Sequence, residues 1–127
     1  MANRTWDPRQ RRMPFDDWPV EDRRAWHEAT REGGILEDQG RAAHWRPSTR
    51  RTVMGAYGHY LKFLARHGWL DSDVAPEKRM TLDWIRTYLD ELSELVAPVT
   101  LAGRLTNLRE ALRVMAPAVE FPYLKRG

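Results

Sequence analysis

The sequence predicts an all-α fold, a compact bundle of four or five helices preceded by a flexible basic arm. Three observations carry that expectation. Apolar residues recur at helical spacing in several separate stretches. Prolines, glycines and small hydroxyl residues punctuate those stretches where helices start and stop. No stretch shows the two-residue alternation of a half-buried strand.

Residues 1–17 hold Pro8 and Pro14 and lack a steady period, so they read as an extended or disordered arm. Trp18-Pro19 opens the first helix, because proline suits the first helical turn. It runs to Glu32 and stops at Gly33-Gly34, with Val20, Ala25, Trp26 and Ala29 as a thin apolar face. Residues 35–47 are irregular, with one helical turn around Arg41 to His44.

The second helix is the clearest. Ser48 is a natural N-cap, Gly68 a natural stop, and no proline interrupts Thr49 to His67. Its stripe is Val53, Ala56, Tyr57, Tyr60, Leu61 and Leu64. Thr81 caps a third helix with Leu82, Ile85, Leu89, Leu92 and Val96 on one face and Asp83, Thr87, Asp90 and Glu94 on another. Pro98 and Thr100 open a fourth, which runs to about Met115 with Leu101, Leu105, Leu108, Leu112 and Met115 as its stripe. Pro117 ends it, and Pro122 and the last residues read as a tail.

The 127 residues suit one domain, 18–124, with 125–127 as the start of a linker. Hydrophobic residues make up 42% and charged residues 31%, which excludes a disordered chain. The longest uncharged apolar stretch, Leu95 to Val99, is too short for a membrane span. No N-terminal signal region is visible, so the cytoplasm is the expected compartment. The absence of cysteine removes disulfides, thiolate metal sites and Cys nucleophiles.

Charge is distributed in blocks. Residues 41–70 contain Arg41, Arg46, Arg50, Arg51, Lys62 and Arg66 and no acid. The flanking segments 13–40 and 71–96 are acidic, and both chain ends are basic. Either the molecule has one basic and one acidic face, or the blocks are ordinary solvated surface.

Catalytic, cofactor and metal signatures are missing. His27, His44, His59 and His67 form no metal-type pair, and no glycine pattern matches a phosphate-binding loop. His59 and His67 read as surface or capping residues. Binding is better supported. At about 100° per residue, Arg51, Gly55, Gly58, His59, Lys62 and Arg66 lie opposite the second helix's apolar stripe. Two mid-helix glycines cost roughly 1 kcal/mol each relative to alanine. Either a polyanion approaches the backbone closely there, or another helix does. Arg46, Thr49 and Arg50 sit at the helix start, where free N–H groups favour phosphate. The fourth helix offers Arg104, Asn107 and Arg113, side-chain types that read guanine and adenine edges. Of the six tryptophans, most read as core, while Trp6 and Trp18 beside the arm are candidates to pack on a partner.

The order of elements resembles a known family. "STRRTVMGAYGHYLKFLARHGW", "TLDWIRTYLDEL" and "PVTLAGRLTNLREAL" follow one another as in the N-terminal core-binding, SAM-like domain of phage integrases, the tyrosine recombinases. The carrying positions are Thr52, Tyr57, Leu61, Phe63 and Leu64, then Tyr88, Leu89 and Leu92, then Thr100, Leu105, Leu108 and Arg109. Residues 33–47 and the basic arm depart from the family pattern. The resemblance implies an orthogonal SAM-like bundle that clamps double-stranded DNA with its second and fourth helices. It implies a C-terminal catalytic domain of the same parent chain, and homo-oligomers on DNA through the first helix. That family's His-x-x-Arg motif is absent here, so Tyr57, Tyr60, Tyr88 and Tyr123 lack the cations that would stabilise a phosphorane, and the chain itself is expected not to be an enzyme. Two other readings stand beside it: a stand-alone helical DNA-binding regulator, and a helical adaptor for an acidic protein.

Overall fold

The computed structural model describes residues 11–31, 33 and 40–117. Trp6 and the arm to residue 10, Glu32, residues 34–39, Tyr123 and the tail lie outside the described residues; the first helix ends at Thr30, two residues short of the expected Glu32, with Arg31 already extended. The described residues form an all-α bundle of four helices: α1 (Val20–Thr30), α2 (Pro47–Arg66), α3 (Leu82–Leu95) and α4 (Pro98–Met115). None of these helices is long and apolar enough to cross a membrane.

Three of the four helices open on proline in the way the sequence suggests. Pro19 is the N-cap of α1, and Pro47 and Pro98 occupy the first turns of α2 and α4. Ser48 is therefore inside α2 and its side chain makes no cap bond; Arg46 holds the cap position. Thr81 caps α3 as expected, accepting a hydrogen bond from the Trp84 amide at 3.1 Å. Gly68 ends α2 at φ 73°, where its amide donates to Ala65 and the Trp69 amide reaches Leu64. That pairing satisfies carbonyls the helix end would otherwise leave bare.

Helix α2 is the spine. It packs most extensively on α4, with α3 alongside both and α1 against α4. Tyr57, Tyr60, Leu61, Phe63 and Leu64 on α2 are fully buried. Ile85, Tyr88 and Leu92 close the core from α3, and Leu108, Ala111, Leu112 and Met115 from α4. Each buried leucine contributes roughly 1.5–3 kcal/mol. Leu82, expected in the α3 stripe, is 41% exposed, because Tyr88 shifts the buried line of α3 away from it. Trp18 and Trp26 are core residues, so Trp18 is not available to a partner. Trp45, Trp69 and Trp84 are half-buried against that core, with the last two stacked 5.4 Å apart.

One feature corrects the sequence reading and a second adds to it. Residues 11–17 dock on α2 and do not extend away from it. The Met13 amide donates to Gly58 at 2.9 Å, and Trp18 Nε1 donates back to the Met13 carbonyl at 3.0 Å. Residues 15–17 then form a 3-10 turn leading into α1. The second feature is a buried ion pair between Asp22 of α1 and Arg79 of the turn before α3, with side chains 0% and 1% exposed.

Candidate nucleic-acid interface

Helices α2 and α4 pack on each other, and Arg12 and Met13 lie beside their contact. Arg12, Thr52, Gly55, Ala56, His59, Arg104 and Asn107 line a polar groove of about 330 Å³ there. Gly55, His59, Arg104 and Asn107 come from the predicted set; Arg12 and Thr52 do not. A second groove, bounded by Arg12, Met13, Pro14, Phe15, Arg51, Met54 and Gly55, continues from it.

Why the glycines are there is now physical. A Cβ on Gly58 would stand 2.6 Å from the Met13 carbonyl oxygen, and one on Gly55 would meet the Arg12 guanidinium. Close approach is required, but by this chain's own arm, so neither a polyanion nor a second helix is the cause. We expect the two alanine variants to differ. In Gly58→Ala the obstacle is backbone, so Met13 must lift and its amide loses hydrogen-exchange protection. In Gly55→Ala a flexible guanidinium swings aside, protection survives, and helix propensity adds roughly 0.5–1 kcal/mol of stability. Equal protection of Met13 in both variants would contradict this account.

His59 lies on the floor of the groove and is only 6% exposed, so it is neither a surface nor a capping residue. Arg104 Nη1 lies 3.0 Å from Nε2, and Tyr88 Oη lies 2.7 Å from Nδ1. A guanidinium can only donate, so Nε2 accepts and Nδ1 carries the proton given to Tyr88. Burial, then the positive charges of Arg104 and Arg66, push the imidazole down to about 4. Both ring nitrogens of His59 are thus occupied, and Nε2 holds Arg104. Burial likewise raises the Tyr88 hydroxyl well above its ordinary range.

The remaining predicted residues divide. Arg46, Thr49 and Arg51 are exposed at the start of α2, and Lys62 is half-buried farther along. None of Arg12, Arg46, Arg51, Lys62 and Arg104 has a carboxylate in ion-pair range among the described residues. Arg50 instead donates to the Ala43 carbonyl at 2.7 Å and serves as a strut for the preceding turn. Arg66 is neutralised by Glu91 of α3, which also pairs with His67 at 3.2 Å. Although burial works to raise the Glu91 carboxyl, hydrogen bonds from Arg66 and His67 hold it below the usual carboxylate range. Arg113 is bound to Glu110 at 2.8 Å and lies half a turn around α4 from Arg104, away from the groove.

The described tyrosines are occupied. Tyr57 donates to Asp22, Tyr60 to the Arg79 carbonyl at 2.7 Å, and Tyr88 pairs with His59. Burial and the adjacent Asp22 charge push the Tyr57 hydroxyl well up, so it is a poor nucleophile as well as a hidden one. No protein-family model, curated protein or solved structure matches this chain.

Proposed function

We propose that the α2–α4 face binds double-stranded DNA, and that the chain is the DNA-clamping part of an integrase-like recombinase whose strand-cutting residues belong to a further domain. One observation carries the reading. Arg12, Arg104 and Asn107 converge on one groove, with Arg51 beside it and Lys62 along the same side of α2, and no described carboxylate opposes those cations. Arg46 and Thr49 extend the face at the α2 start. Arg66, Arg50 and Arg113 are left out because their charges or donors are committed within the fold. Affinity would come chiefly from phosphate contacts, with Asn107 as the group able to read a base edge.

The test is a salt titration against generic duplex. We expect a steep fall of log K with log salt, and a slope shallower by about 1 in Arg51→Ala and in Lys62→Ala. Arg113→Ala should leave the slope unchanged. Absence of binding at low salt overturns the proposal and leaves the adaptor for an acidic protein as the better reading.

A further inference from the structure

The groove has features that a flat phosphate-binding surface does not need. It is concave and lies mid-helix between α2 and α4. Its walls carry two guanidiniums, Arg12 and Arg104, from separate parts of the chain. Among the described residues neither is opposed by a carboxylate. Arg104 gives one N–H to a buried neutral imidazole, which fixes its side chain without cancelling its charge. The Asn107 amide adds a neutral donor. Thr52 does not, since its hydroxyl already donates to the Ser48 carbonyl at 3.0 Å. At about 330 Å³ the groove exceeds what a lone oxyanion fills.

We infer that this groove is a discrete site for one phosphate group with its attached sugar, gripped by Arg12 and Arg104 with Asn107 at its edge. The inference deepens the duplex-binding reading at the same face. Its chemistry is shared by a free nucleotide and by one link of a DNA strand. Orientation follows from the parts. Paired guanidiniums provide charge-assisted hydrogen bonds to phosphate oxygens. The asparagine amide is within the same groove for a sugar hydroxyl or base edge.

The experiment is a titration of the full chain with deoxyadenosine 5′-monophosphate, followed by amide chemical shifts, then addition of generic duplex to the same sample. We expect saturable shifts centred on Gly55, Ala56 and Asn107, with a Kd on the order of millimolar, and reversal of those shifts by duplex. Arg12→Gln, at an exposed position that does not touch His59, should weaken binding at least about tenfold. Arg104→Gln should do the same, and Arg113→Gln should change it less than about twofold. Saturation without any duplex binding keeps this site and overturns the duplex reading. Duplex binding without a saturable nucleotide shift overturns the site and keeps the duplex reading. Shifts spread over all cationic segments, or equal losses in Arg12→Gln and Arg113→Gln, likewise overturn the site.

Discussion

Replacing Arg79 with methionine is expected to cost on the order of 3–5 kcal/mol of folding stability, read as a lowered urea midpoint at pH 7. The side chain binds Asp22 through two bonds, Nε to Oδ2 at 2.9 Å and Nη2 to Oδ1 at 2.7 Å. It also donates to the Asp71 carbonyl at 2.7 Å, and Tyr57 of α2 adds its hydroxyl to the same carboxylate. One cluster therefore joins α1, α2 and the loop before α3. Its strength lies in being complete. Removing the guanidinium leaves a carboxylate at 0% exposure with only Tyr57 for company, and strands the Asp71 carbonyl. Replacing Asp22 by leucine together with Arg79→Met should recover much of the loss, because no uncompensated charge is then buried. A loss below about 1 kcal/mol in the single variant would mean that water reaches Asp22 and that the cluster is not a tie.

Asp22 and Arg79 also mark where sequence reading ran out. Periodicity located α2, α3 and α4 to within a few residues, because each buries a stripe wide enough to show in one dimension. Pro19, Thr81, Pro98 and Gly68 then placed the ends through local backbone chemistry that needs no tertiary information. An ion pair 57 residues apart has no such local trace. The site was half legible for a related reason. A helical wheel gave the angular positions of Gly55, Gly58 and His59 correctly but said nothing of what covers them. The cover is Met13 and Arg12, from a segment whose lack of period had marked it as loose. The two glycines were the available clue, since their cost demanded a close neighbour, and the neighbour is the arm. Arg66 and Arg113 are paired with Glu91 and Glu110, one across helices and one a turn away, and a helical wheel of a single helix does not show the first of these partners. Arg104 and Asn107 lie on the side of α4 that faces α2, which angular position alone did not decide.

Between pH 7.5 and 4.5 a pH effect on stability should come from His59. An exposed, unfolded histidine titrates near 6.5, whereas His59 in the fold is held down to about 4 by burial and by Arg104 and Arg66. Between those values the unfolded chain takes up a proton that the folded chain refuses. Stability is therefore full above about pH 6.5 and falls as pH drops toward 4, by about 3 kcal/mol in total. Arg12 acts in the same direction, and Glu91 opposes it. The carboxylate of Glu91 loses its own contribution only at lower pH, since its partners hold it below the usual range. Urea unfolding of the native chain and of His59→Gln from pH 7.5 to 4.5 isolates the effect, because the other titrating groups are common to both. The difference between the two stability curves should hold constant down to about pH 6.5 and shrink below it, and parallel curves throughout would show that His59 protonates freely in the fold. Below its folded pKa, the imidazolium can no longer accept from Arg104, so the guanidinium that lines the groove loses its anchor. A buried histidine is thereby linked to the geometry of the candidate face: in an amide-shift titration carried through pH 4, Asn107 should move with His59, and that component should be missing in His59→Gln.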